Sequence, residues 1–345
     1  MQPATLEAYL NTYTSHSDPV RVQIAATIRA FAEAALLVRK SINEGALGVA
    51  FAGERNSANA DGDSQKELDI YADSCFIEAA RKARVGRYAS EELPNPVDID
   101  PTSPLAIAID PLDGSSNIDT NVSIGTIFSI LPNKETQKET FSQRGTAQLA
   151  AGFFIYGPQL ALVLTKLNGT RVYVFSSRLG AFVEAYNSLS IPQNTTEFAI
   201  NTSNYRHWDD EIRLYFDDCV TGTEGPRQKD FNMRWIASLV ADAYRILIRG
   251  GVFLYPRDGR KGYSNGRLRL VYEANPIALL VEQAGGMATN GTARILDIQP
   301  EDLHQRTPLV FGSSKEVTKI ARYHTDPSSI GNRHPLFGNR GLFRA

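Results

Sequence analysis

Apolar residues recur at helical spacing through Val22, Ala25, Ala26, Ala30, Ala34 and Leu37, which predicts a core-packing helix from Asp18-Pro19 towards Gly45. Asp18 can cap its first amides, and Pro19 suits the first helical position because its missing N–H has no partner there anyway. A second stripe, Leu68, Ala72, Cys75, Phe76 and Ala79, predicts a helix over 64–84 that stops before Gly86. The pattern then shortens. Leu105–Ile109 is too brief for a helix and lies between prolines at 104 and 111, so it reads as a buried strand. More strands are predicted at 122–131, 152–156, 160–165, 171–175 and 180–183, with Asn168-Gly169 as a hairpin turn. This is the pattern of an antiparallel sheet. The polar tract 136–146 has little to bury and is expected to be a mobile surface loop.

After the polar, proline-containing stretch 188–196 the rhythm changes. Helices are predicted over 209–218, 232–248 and 276–284 and from Ser313 onward, and strands within 252–272 and at 308–311. Ile236, Leu239, Val240, Ala243, Tyr244 and Leu247 form the apolar side of the second of these helices. Alternating helices and strands predict a parallel or mixed sheet covered by helices. The expected class is therefore α+β in layers, with a mainly antiparallel N-terminal sheet in residues 1–190 and a mixed C-terminal sheet in 191–325. The tail 326–345, rich in Gly, Pro, Asn and Arg, is expected to be mobile.

Composition narrows the function classes. At 345 residues and 42% hydrophobic content the chain can build two domain-sized cores. A net charge of −2 argues against a nucleic-acid partner, whose binding depends on neutralising phosphates. No window supplies the ~20 uncharged apolar residues of a membrane span. Two cysteines, Cys75 and Cys219, are too few for a disulfide framework and fit a reducing cytoplasm.

The chemistry concentrates at Asp110-Pro111-Leu112-Asp113-Gly114-Ser115-Ser116-Asn117. Two carboxylates held three apart by a proline-stiffened backbone can reach one hard cation, and the Leu112 carbonyl offers a further oxygen. Gly114 allows a tight turn, and Ser115 and Ser116 can form an anion-binding concavity beside the metal. Taken alone, the octet is equally well an Asp-rich turn. Glu91-Glu92 upstream and Glu273 downstream add acids with no Cys or His cluster, a donor set for Mg²⁺ or Mn²⁺ rather than zinc. Arg267 and Arg269 alternate along a predicted strand, so they are expected to share a face and could bind a phosphate.

These residues carry a resemblance. The run Asp110 to Asp119, Ser90-Glu91-Glu92, the segment Gly62 to Asp69, and the later blocks Tyr255-Pro256, Gly266 to Leu270, Tyr272 to Pro276, Glu282 to Gly286 and Leu303 to Arg306 together resemble class I fructose-1,6-bisphosphatase. The resemblance implies the sugar-phosphatase fold shared with inositol monophosphatase, and hydrolysis of the 1-phosphate of a sugar bisphosphate in gluconeogenesis or the Calvin cycle. It further implies two or three Mg²⁺ ions, replaceable by Mn²⁺, held by Asp63, Glu91, Asp110, the Leu112 carbonyl, Asp113 and Glu273. Asp69 with Glu92 would handle the proton of the attacking water, and Asp113, Gly114, Ser115 and Ser116 would meet the phosphate. Asn201, Tyr255, Arg267 and Arg269 would hold the sugar and its other phosphate. Arg234 would reach into a neighbouring subunit's site, which implies a homo-oligomer, a tetramer in the family. Arg267 stands where the family commonly has lysine, and Trp235 where it has tyrosine. Sedoheptulose-1,7-bisphosphate remains open as an alternative substrate.

Overall fold

The computed structural model describes residues 4–14, 18–52, 63–118 and 120–325, with backbone alone for 45–52 and 63–66. The predicted tail 326–345 and the side chain of Asp63 lie outside the described residues. Three helices come first: α1 (Leu6–Tyr13), α2 (Pro19–Ala52) and α3 (Asp63–Lys82). Asp18 caps α2 as expected, its carboxylate accepting from Val20 N at 2.9 Å. The helix continues past Gly45 and Gly48, because each glycine costs only about 1 kcal/mol.

The strands of the first sheet are β1 (Arg87–Ser90), β2 (Val97–Asp98), β3 (Leu105–Asp113), β4 (Ile124–Pro132), β5 (Ala150–Tyr156), β6 (Leu160–Thr165), β7 (Thr170–Ser176) and β8 (Ala181–Tyr186). They lie in the order β2-β1-β3-β4-β5-β6-β7-β8, antiparallel except for the parallel β1/β3 pair. β3 does not stop at Ile109. It carries Asp110 and Asp113 within it, with a register shift against β4 between the two acids, and such an irregularity lets Pro111 sit inside a sheet. The 136–146 tract is not a bare loop. It holds α4 (Gln137–Phe141), which has a complete capping box and buries Thr140 and Phe141. Arg87 ties the preceding turn down through Asn133 Oδ1, the carbonyls of Lys134 and Glu135, and Thr140.

The second sheet contains β9 (Glu197–Ile200), β10 (Asn232–Met233), β11 (Val252–Tyr255), β13 (Met287–Thr289) and β15 (Leu309–Gly312), in the order β10-β9-β11-β15-β13. β12 (Leu268–Arg269) and β14 (Arg306–Thr307) pair separately. The helices here are α5 (Asp210–Val220), α6 (Leu239–Arg249), α7 (Asn275–Gln283) and α8 (Ser314–Thr325). Side-chain alternation sets the layers. Phe128, Phe154, Leu162 and Tyr173 face α2 and α3, while Ile127, Phe153, Val163 and Val172 share a core with α6, α7 and the inner residues Phe253 and Phe311 of the second sheet. α5 and α8 cover the outer face of that sheet through Tyr215, Val317 and Ile320. The result is helix, sheet, helix, sheet, helix, an α+β layering.

Two predicted elements differ. The helix expected from Asn232 starts only at Leu239, because Ala237 adopts φ +66 and Ser238 caps the new start by accepting from Ala241 N. Ile236 is thereby left exposed, and Tyr244 half-buried. The strand expected at 268–272 survives for two residues, after which Leu270–Ala274 wind into a π-helical turn that runs into α7. Leu270 N bonds Gln305 O and Arg269 N bonds the Glu273 carboxylate, so the backbone closes on itself instead of pairing onward.

Helix α1 was not expected. It buries Leu6 and Leu10 and closes an aromatic cage, with Lys166 Nζ 3.7 Å from the Tyr9 ring centroid and 3.4 Å from that of Tyr13. Burial, with Arg171 and Arg21 nearby, pushes the Lys166 ammonium down to about 7. Ring attraction of about 1–2 kcal/mol takes back roughly one pKa unit, so the group stays well below its ordinary value. The unfolded chain keeps this proton to about pH 10 while the folded chain gives it up earlier, so the folded state binds fewer protons over that window and gains stability as pH rises. We expect the unfolding free energy of the wild type to climb towards a Lys166→Met variant between pH 7 and 9.5 in urea titrations. Parallel curves would show that Lys166 does not titrate there.

Candidate active site

The acids converge. One carboxylate oxygen from each of Asp110, Asp113 and Glu273 lies within 4.8 Å of the other two, and all three side chains are buried. β3 supplies the first two and the π-helical turn before α7 the third. Burial pushes all three carboxyls up, and repulsion from Glu91 adds to it in each case. Asp113 is raised to about 7. Few neutralising contacts reach them: Asp110 accepts from Leu112 N at 3.0 Å, Asp113 from Val240 N at 3.1 Å, and Glu273 from Arg269 N. Three buried, mutually repelling carboxylates demand positive charge, and an all-oxygen donor set selects a hard divalent cation.

Glu91 flanks this cluster without joining its closest group, and it pairs with Arg269 Nε at 3.1 Å. Arg269 also donates to the His304 carbonyl at 3.0 Å. Arg267 instead lies 4.7 Å over the Tyr263 ring and 6.0 Å from that of Tyr255. Arg267 precedes β12 and Arg269 lies in it, and the two arginines make different contacts. Asp69 and Glu92 meet near the cluster. Burial and Glu91 raise Asp69 to about 6, opposed by a hydrogen bond with Ser115, and burial, Asp69, Glu91 and Asp73 raise Glu92 to about 7. Asp69 Oδ1 is buried without a hydrogen-bond partner, poised for a proton or a water.

Gly114, at φ +76, turns the chain into a short 3₁₀ segment, Ser115–Asn117, at the mouth of the acid cluster. Asn117 Nδ2 fixes that turn to the Ala237 carbonyl at 2.8 Å, across the two halves of the chain. Asn201, Tyr255 and Arg267 line one small cavity with Asn204 and Asp258. Trp235 stacks on Phe253 and Tyr255, at centroid separations of 5.6 and 6.0 Å, and so backs the Tyr255 ring that lines the cavity. The Tyr205 hydroxyl donates to Asp217 at 2.9 Å. Arg234 Nε bonds Glu197 at 3.0 Å while its side chain stays 48% exposed. Arg227, earlier in the same segment, is buried in a pair with Glu316, its Nη2 2.7 Å from both carboxylate oxygens. Sequence reasoning missed Tyr263, Arg260 and the Val240 amide; only the ring between two arginines in Arg260-Lys261-Gly262-Tyr263 and Arg267 could have drawn attention.

Residues 7–187 match the family model of the fructose-1-6-bisphosphatase N-terminal domain, and residues 191–325 that of its C-terminal domain. The chain is 62% identical to the fructose-1,6-bisphosphatase class 1 of Sinorhizobium medicae, covering all of both chains, and 52% identical to that of Azorhizobium caulinodans, over 94% of this chain and all of the relative. The crystal structure of Leishmania major fructose-1,6-bisphosphatase in holo form is 31% identical and superposes with a TM-score of 0.83, covering 94% of this chain and 100% of that one.

Proposed function

The chain belongs to the class 1 fructose-1,6-bisphosphatase family, and from that premise we propose that it hydrolyses fructose 1,6-bisphosphate to fructose 6-phosphate and inorganic phosphate. The observation that carries the reading is the buried trio Asp110, Asp113 and Glu273. Two or three Mg²⁺ ions would be held by these acids with Asp63, Glu91 and the Leu112 carbonyl, and Mn²⁺ would substitute. When bound, the metal supplies Lewis-acid stabilisation of developing charge and activation of a water nucleophile.

The chain's own residues do the rest. Ser115, Ser116 and the backbone after Gly114 face the 1-phosphate and orient it. Glu92, raised to about 7, has the affinity to take a proton from the attacking water at neutral pH, and Asp69 beside it shares that proton. Asn201, Tyr255 and Arg267 hold the sugar and its second phosphate, and Arg269 steadies Glu91. Residues 1–190 form the metal- and phosphate-binding domain and 191–325 the sugar-binding domain in this reading. Arg234, exposed at its site, serves a neighbouring copy in a homo-oligomer, a tetramer, and its bond to Glu197 holds it ready. No described helix is long and apolar enough to cross a membrane. A cytoplasmic location is part of this proposal, and the free Cys75 and Cys219 support it.

The test is phosphate release from fructose 1,6-bisphosphate, sedoheptulose 1,7-bisphosphate and inositol 1-phosphate. Activity is expected on the first, is abolished by chelation, and returns with Mg²⁺. Metal-independent turnover, or a preference for inositol 1-phosphate, would overturn the reading.

A further inference from the structure

Arg267 is an exposed guanidinium with no carboxylate paired to it among the described residues. A side chain of this kind carries about 2 kcal/mol of rotamer entropy, which works against holding it at a fixed point. Its neighbour Tyr263 opposes that freedom. The Tyr263 ring centroid lies 4.7 Å from Arg267 Cζ and 4.4 Å from Arg260 Cζ, so one ring serves two guanidinia.

The two arginines differ in what they can still bind. Arg260 is committed: Nε meets Asp258 Oδ1 at 3.0 Å, Nη2 meets Asp258 Oδ2 at 2.5 Å, and Nη2 also meets Asn204 Oδ1 at 3.0 Å. Its charge is balanced in place, and Arg267 keeps its hydrogen-bonding edge free for an anion. The ring itself is fixed through its backbone. Tyr263 N donates to Arg260 O at 3.0 Å, and Tyr263 O accepts from Asp258 N and from Gly266 N. Gly266, at φ +79, lies so close to the backbone of Thr307 and Pro308 that a Cβ would sit 2.3 Å from it, which pins the loop against β14.

A planar guanidinium stacks on a ring, and a lysine ammonium does so less well while presenting a single point charge. The arginine at 267 and the tyrosine at 263 are thus a matched pair. We propose that Tyr263 is a positioning residue that holds the Arg267 guanidinium edge-on to the phosphate of the sugar bisphosphate that is not hydrolysed. This rests on the functional reading given above.

The experiment compares wild type, Tyr263→Phe and Tyr263→Ala on fructose 1,6-bisphosphate and on fructose 1-phosphate, which lacks the second phosphate. Tyr263→Ala is expected to raise KM for the bisphosphate about tenfold with kcat nearly unchanged, and to leave kcat/KM for the monophosphate unchanged. Tyr263→Phe, which keeps the ring face, is expected to match wild type. In an Arg267→Lys background the alanine change should add little, because the lysine has already lost the stack. Equal losses on both substrates, or an unaltered KM, would overturn the proposal. Independently of activity, ¹⁵N relaxation of Arg267 Nε reports the same contact: its order parameter is expected to fall in Tyr263→Ala and hold in Tyr263→Phe, and no fall would refute the positioning role. A wild type inactive on the bisphosphate with an ordered Arg267 Nε would locate the failure in the functional reading and not in the Tyr263 contact.

Discussion

An Asp113→Asn enzyme will turn over fructose 1,6-bisphosphate slower by on the order of 10³-fold, or about 4 kcal/mol of barrier, while its apo form unfolds at the same temperature or higher. The two halves have one cause. Asp113 is buried beside Asp110, Glu273 and Glu91, and burial already raises its carboxyl to about 7. Asparagine keeps the shape and can still accept from the Val240 amide, so the 3.1 Å contact survives. What goes is one negative charge. Without a cation that charge is a liability, since like charges in a low-dielectric site repel; with a cation it is the attraction that holds the metal. Thermal unfolding in EDTA and in Mg²⁺ reads both: wild type should gain strongly from Mg²⁺, and the variant little. Near-normal turnover at saturating Mg²⁺, or an apo form that unfolds earlier, would remove Asp113 from the metal-holding set.

The second large effect concerns stability. Arg227 and Glu316 have side chains only 1% and 4% exposed and meet through both carboxylate oxygens. Tyr215 OH adds a contact to Glu316 at 3.3 Å, and Phe231 stacks 4.4 Å from the guanidinium. This pair joins the segment before β10 to the first turn of α8. Arg227→Met should cost about 3–5 kcal/mol, because it leaves Glu316 charged and buried without its partner. The double variant Arg227→Met, Glu316→Leu should recover much of that loss, since apolar side chains of similar size remove the desolvation problem on both sides. Urea titrations of the two single variants and the double one complete the cycle. A double variant as unstable as the sum of the singles would mean that the two side chains are not coupled, and would overturn this account of the pair.

The fold was legible where one period ran long enough to dominate. α2, α3 and the strands from β4 to β8 announce themselves by spacing, and the acids of the site by their types and order. What escaped depends on contacts distant in sequence. α1 has eight residues and buries only Leu6 and Leu10, too short a stripe to stand out, and it docks by packing these and the Tyr9 and Tyr13 rings on the core and on a lysine from the β6–β7 turn. The strand predicted at 268–272 had the right alternation, yet Gln305 and the Glu273 carboxylate captured its backbone. That change moves Glu273 into the cluster with β3. The delay in α6 comes from one left-handed residue, Ala237, whose carbonyl then receives Asn117 from the turn after Gly114. No local pattern encodes such a meeting.

The chain's first described residues also do something for the large sheet. Thr5 bridges to Val183, and Glu184 donates its amide to the Ala4 carbonyl at 2.8 Å, so β8, the last strand in the order, is not left with its whole edge open. An open edge is a template onto which another chain can add a strand. The leading segment therefore acts as a guard against edge-to-edge aggregation, and its attachment depends on α1 staying docked. Proteolytic trimming ahead of Leu6 would spare every residue of the site and still turn a well-behaved enzyme into one prone to precipitate, a loss that activity measurements on fresh protein would not detect.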